Sequence, residues 1–279
     1  MTPSEITPVF VSHYSLAESL LTLEEAGKAK AGNPVSVFDL SQSVGLKEVV
    51  LCDSRIDSFI PAYKVATRLD IKLCYGIKLV VVPDMKDKDI GTRRSESKVI
   101  VMIKGGPLNE AYLPQGYSDL IRIWNRAWGH EGHVTYRVAG EELAYGRIDW
   151  STLKELWTEN LLMVWPFFSS PLARNTLTFA QITPDPPVKP WCFREVDSGL
   201  PFAGLLDAAL DRYVATDPEL AAQVVPCKTV YYSSAADMRA YVTLVADGMG
   251  GTFDEPKRDH LHSDRFSFED YKRLAGLIS

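Results

Sequence analysis

A chain of 279 residues, 46% hydrophobic and 24% charged, has the make-up of a globular protein that can bury a core without disulfides. Its net charge of -6 speaks against a general coat on a polyanion, so broad nucleic-acid binding is not expected, although a local basic groove remains open. There is no run near the roughly twenty apolar residues of a membrane span, no secretory pattern at Met1 to Val9, and no C-x-x-C pair among four scattered cysteines, which together read as a cytoplasmic protein with buried thiols.

In chain order, Pro8 to Val11 reads as a short strand. Ser15 to Ala31 follows as a helix that Ser15 caps and Gly32 ends, with Leu16, Leu20, Leu21 and Leu23 as its apolar positions. Glu48 to Cys52 is a buried strand, and Ser58 to Leu69 a helix with Phe59, Ala62, Tyr63 and Ala66 on its apolar face. Ile71 to Val82 gives more strand, interrupted by Gly76, and Lys98 to Ile103 another, before the amphipathic segment Tyr117 to Trp128. Ser151 caps a helix reaching Trp157. Leu161 to Trp165 and Val224 to Tyr232 are strands, and Phe202 to Val214 and Ala235 to Ala246 are helices. Strands separated by helices imply a mostly parallel sheet with covered faces, and the number of units favours a barrel. The segment 83–97 is charged and lacks an apolar period, and 183–190 carries four prolines and crosses the surface extended. Trp124, Trp128, Trp165 and Trp191 are read as buried aromatics.

Several stretches then share an order. They are YKVATRLDIKLCYG (63–76), GYSDLIRIWNRAW (116–128), GRIDWSTL (146–153), Gly199-Leu200-Pro201, and the long run from Ser233 to Leu274. In this order the chain resembles the PHP (polymerase and histidinol phosphatase) domain of bacterial DNA polymerase III α subunits. The resemblance implies an α/β fold, a distorted seven-stranded (β/α) barrel of PHP type, occupying 1–279 as a single domain without palm, fingers or thumb. It also implies a metal cluster held by His, Asp and Glu at the strand ends. Here those positions read Val9 and Val11 for an H-x-H, Asp53 and Ser54 for an Asp-His pair, and Lys78 for the Glu of a Gly-x-Glu. Ser198 stands for a His, and Lys228 and Val230 for an Asp-x-His. Valine has no donor atom and two lysines repel a cation, so no metal, no other cofactor and no catalytic residue is expected there. Lys78 and Lys228 are expected to pair with Asp53 instead.

Other motifs are weaker. Asp259-His260-Leu261-His262-Ser263-Asp264 imitates the family's H-x-H-S-D, making His260 and His262, with His13 near the first strand, alternative metal ligands. His130-Glu131-Gly132-His133 spaces its histidines three apart beside glycine and reads as a polar turn. Gly248 to Gly251 is a helix end rather than a phosphate loop, Lys86 to Lys88 and Arg93 to Arg94 are a solvated charged loop, and no G-x-S-x-G is present. The reading that follows is an inactive PHP-like scaffold associated with DNA replication. It would dock, or mimic a partner of, a replicative polymerase or proofreading exonuclease in a bacterial cytoplasm, or a host's if phage-encoded. Two alternatives stay open: a metal-dependent phosphoesterase or exonuclease with a rebuilt site, and a binder of a small anion held by Lys78 and Lys228 in the barrel mouth.

Overall fold

The computed structural model describes residues 6–15, 18–24, 35–89, 95–104, 112–138, 141–248 and 263–278. Their strands are β1 (Thr7–Phe10), β2 (Glu48–Asp53), β3 (Lys72–Val82), β4 (Ser97–Ile103), β5 (His133–Val138), β6 (Glu141–Asp149), β7 (Leu161–Trp165), β8 (Trp191–Glu195) and β9 (Val224–Val230). Their helices are α1 (Val37–Ser43), α2 (Phe59–Arg68), α3 (Tyr112–Ala127), α4 (Trp150–Leu156), α5 (Pro171–Thr178), α6 (Ala203–Val214), α7 (Pro218–Ala222), α8 (Met238–Gly248) and α9 (Phe268–Leu274). The hydrogen-bonded strand order is β2-β1-β9-β8-β7-β4-β3-β6-β5, and β2 also pairs with β3. The chain is therefore α/β with a closed mixed barrel of seven strands, β6 and β5 continuing the sheet from β3. No helix among the described residues is long and apolar enough to cross a membrane.

Two compact units divide the chain: Met1–Tyr75 with Glu195–Leu200 and Pro226–Ser279, and Gly76–Arg194 with Pro201–Val225. In the first, β1 lies between β2 and β9, parallel to both. The apolar run Val49 to Cys52 is buried throughout, as a strand covered on both faces requires. Helix α2 buries Phe59, Ala62, Val65 and Ala66, a stripe at helical spacing. The helix expected from Ser15 is not formed over the described residues 18–24. There the backbone bonds across the chain rather than along a helix: Leu20 N donates to Tyr231 O (2.9 Å) and Thr22 N to Val35 O (3.0 Å). Ser19 Oγ lies 2.5 Å from Val11 O and 2.9 Å from Tyr231 O, holding the segment extended. Helix α1, whose N-cap Ser36 accepts from Phe38 N, follows instead.

The second unit departs from the expected parallel sheet. β3 with β4, β4 with β7 and β5 with β6 are antiparallel, whereas β3 with β6 and β7 with β8 are parallel. β3 passes to β4 through 83–96, which has no α-helix among its described residues, so it makes none of the helical crossover that a parallel neighbour needs. Gly76 does not interrupt β3, which runs unbroken across it. It is glycine because a Cβ there would come within 2.6 Å of Met102 Cγ on β4. Asp149, not Ser151, caps α4, its Oδ1 accepting from Thr152 N at 2.8 Å while Ser151 Oγ donates to the same atom. Of the four tryptophans read as buried aromatics, Trp165 is buried, and Trp124, Trp128 and Trp191 are half-buried. The segment 183–190 is irregular as expected, with Asp185 paired to Lys154 and Lys189 to Asp217 and Glu219.

Candidate functional site

In the first unit the register sets which side chains can meet. Val9 is level with Val50 and Thr229, and Phe10 with Leu51 and Val230. Parallel partners point to one face and neighbours along a strand alternate. Val9 therefore shares a face with Thr229, whereas Lys228 and Val230 point with Phe10 to the other. The positions matched to an H-x-H and an Asp-x-His are thus not brought together. Val11, just beyond β1, is buried, and its N–H donates to Val230 O at 3.2 Å.

Asp53 ends β2 fully buried. Its Oδ1 accepts from Ser12 N (2.7 Å) and Ser15 Oγ (2.9 Å), and its Oδ2 from Ser12 Oγ (2.7 Å). The two hydroxyls are oriented in turn, Ser12 Oγ accepting from Tyr14 N and Ser15 Oγ from Ser54 N at 2.8 Å. Burial pushes the Asp53 carboxyl above the usual carboxylate range, against the pull of its serine donors. The expected ammonium partner is not present: among the described residues no lysine lies in ion-pair reach of Asp53, and Ser15 serves it as a donor rather than as a helix cap.

Lys228 is held elsewhere. Its side chain, fully buried, donates to Val196 O and Asp197 O, both at 3.0 Å. Asp270 Oδ2 of α9 lies 3.0 Å from Nζ and Glu195 Oε1 of β8 at 3.6 Å. Glu195 is itself fixed by Thr229, whose Oγ1 donates to Oε2 at 2.6 Å and whose N–H reaches both carboxylate oxygens at 3.1 Å. Burial pushes Glu195 above its ordinary range, and Lys228 and the Thr229 donors pull it back. Helix α9 reaches this place because Phe268 N donates to Tyr232 O beyond β9, and the Phe268 ring packs 5.8 Å from that of Phe10. On the outer side of Asp270, Oδ1 accepts from Arg273 (2.8 Å) and Arg265 (3.3 Å). Arg273 also reaches Asp197.

Ser198 is buried, its Oγ accepting from Leu200 N and its carbonyl from Ser263 Oγ at 2.6 Å. Lys78 stands half-buried on β3, opposite Ile100 in register. His13 is exposed, with Nδ1 3.3 Å from Leu21 O and its ring 4.5 Å from that of Tyr14. His260 and His262 lie outside the described residues. In the 130–133 turn, Glu131 pairs with Arg126 and Lys86, and His133 packs against Trp128.

The donor set does not fit the metal cluster that the resemblance implies. Where ligands would stand, Val9, Val11 and Val230 offer no donor, and the ammonium of Lys228 already lies among the carboxylate oxygens. Among the described residues no group of three or more His, Cys, Asp or Glu is placed to hold a metal ion. Compared with known proteins, the sequence matches no family model and no curated protein significantly.

Glu195, Thr229 and Asp270 are the residues that sequence reasoning passed over. A signal existed for the first: in Trp191-Cys192-Phe193-Arg194-Glu195 the carboxylate falls on the face of Phe193, an inward position of an apolar strand. A lysine inside the strand Val224 to Val230 likewise demands a buried counter-charge.

Proposed function

We propose that the chain is a catalytically silent, PHP-like protein that acts by binding, a replication-associated scaffold that docks or imitates a partner of a replicative polymerase or proofreading exonuclease. One observation supports the silent part of this reading. Asp53, Glu195, Lys228 and Asp270 are all buried, and serines, a threonine, carbonyls and one another take up their charges. A general acid, base or nucleophile has to reach its substrate, and each of these groups is buried and already engaged by its neighbours. The association with replication rests on the order of sequence stretches that resemble the polymerase domain. An anion held by Lys228 is disfavoured, because oxygens already surround its ammonium.

The test is the metal content of the untagged full chain together with hydrolysis of a nitrophenyl phosphodiester and of single-stranded DNA in manganese. Substoichiometric metal and no hydrolysis are expected. A metal per chain with chelator-sensitive hydrolysis would replace this reading with the rebuilt hydrolase. Direct titration against a purified polymerase III α subunit and its proofreading exonuclease tests the partner, and no binding to either at about ten micromolar removes the link to replication.

A further inference from the structure

We propose that the oxygens around Lys228 Nζ form a binding cage for an ammonium-sized cation, which the chain fills with its own side chain. The inference stands on geometry alone and does not rest on the PHP-like reading. An ammonium has three N–H donors. Three oxygens stand 3.0 Å from Nζ, on Val196, Asp197 and Asp270, and a fourth, on Glu195, at 3.6 Å. The Phe266 ring lies under the same atom, 5.3 Å from its centroid, as an aromatic face under a cation does. Asp270 Oδ2 is buried and has no directed hydrogen bond among the described residues, so the ammonium beside it is what compensates its charge.

Each wall of the cage is fixed by something other than Lys228. Asp197 (φ +49°) and Gly199 (φ +69°) take left-handed backbone in the turn that delivers the carbonyls of 196 and 197. A Cβ on Gly199 would fall 2.8 Å from Ser263 Oγ, which anchors the turn through Ser198 O. Thr229 holds Glu195, and Arg265 and Arg273 hold the outer oxygen of Asp270. Shortening Lys228 therefore removes the cation and leaves the oxygens in place. The ligand class is a primary alkylammonium ion, with potassium as its inorganic counterpart of similar size.

The experiment is thermal unfolding of full-length Lys228→Ala in ethylammonium, potassium or tetramethylammonium chloride at equal ionic strength. The variant is expected to melt roughly 10 °C below wild type. Ethylammonium should raise its Tm saturably, by roughly 5 °C at about a hundred times its Kd. Tetramethylammonium, too large and without N–H donors, should not, and a second change, Asp270→Asn, should abolish the response. Rescue by potassium alone would assign the cage to inorganic cations rather than amines. A Tm that no cation moves, or one that wild type shares, overturns the proposal. If Lys228→Ala does not fold in any of these salts while Lys228→Met/Glu195→Gln/Asp270→Asn does, the oxygens need a cation they cannot take from solution, and the proposal also fails. In the wild-type chain the Lys228 Nζ should give a protected three-proton ammonium resonance at neutral pH, and a neutral amine there overturns the proposal without any variant.

Discussion

Among the described residues, each unit of the chain buries one large cation, and the two are held differently. Lys228, in the first, has two loop carbonyls and the carboxylates of Glu195 and Asp270, which are 0% and 6% exposed. Arg147, in the second, is 1% exposed and also takes two loop carbonyls, Met85 O at 3.3 Å and Asp87 O at 2.8 Å. Among the described residues its one carboxylate partner, Glu96, lies at 3.4 Å, is 17% exposed and is shared with the Tyr145 hydroxyl. Arg147 Nε is buried with no hydrogen-bond partner among the described residues. A compact ammonium can be enclosed on all sides, whereas the broad guanidinium leaves one donor over and relies on a carboxylate that water still reaches. The lysine's surroundings are thus closed and the arginine's partly open, so the lysine is the more sensitive of the two to substitution.

That difference can be broken or sharpened by measurement. The largest effect expected is from Lys228→Met, which leaves buried carboxylates without their counter-ion and should cost about 3–5 kcal/mol in urea unfolding. A loss under about 1 kcal/mol would show that the carboxylates do not need the ammonium. Arg147→Met should cost less, about 2–3 kcal/mol, because solvent can screen Glu96 once the guanidinium is gone. An Arg147 effect equal to or above that of Lys228 would overturn the ranking. Asp53 supplies a third setting, a buried carboxyl with neutral donors only. Asp53→Ala strands Ser12 N and two serine hydroxyls and should cost about 1–3 kcal/mol, whereas Asp53→Asn keeps an acceptor and should cost less.

Asp53 also carries a pH signature. Its folded-state pKa is raised by burial above the ordinary 3.8, so folding favours the protonated form. The stabilisation is complete below about pH 3.8 and is lost as pH rises through the raised value. Asparagine stays neutral throughout, so the stability of wild type relative to Asp53→Asn should fall as pH rises from about 3.8 through the raised value. Thermal melts of the two proteins across that window check it, and a gap that widens with pH would mean that the serines outweigh burial. The smallest effect belongs to Arg273→Ala. Its guanidinium is 44% exposed, so its pairs with Asp197 and Asp270 should contribute under about 1 kcal/mol and fade in high salt.

Much of the barrel was legible because its strands are apolar runs: β2, β3, β4, β7 and β9 lie close to where the sequence puts them, as do α2 and α6. What escaped notice has local chemistry that points elsewhere. In β5 and β6, HVTYRV and EELAYGRID mix charge with apolar residues and pair mainly with each other. Helix α5, PLARNTLT, is short and polar, and its start is set by Ser170 accepting from Ala173 N. The segment after Ser15 has the leucine spacing of a helix, yet Ser19 and Leu20 bond to Val11 and Tyr231, partners that spacing cannot reveal. The site divides the same way. Lys228 and Asp53 stood out as charges in apolar strands, but the assumption that they meet came from aligning both to one resemblance. The pleat and register, together with an acidic residue on the last described helix, gave each its own partners.

The cysteines have a practical consequence. Cys52, Cys192 and Cys227 are buried, and Cys74 half-buried. Burial pushes the thiols of Cys74 and Cys192 up to about 12 and that of Cys227 well above its ordinary value. Only the thiolate reacts quickly with a maleimide or disulfide reagent, and these three thiols hold little of it in the folded chain, while burial shields Cys52. The native protein should stay dark to a fluorogenic thiol dye and light up as it opens, so the chain carries four built-in reporters of its own unfolding.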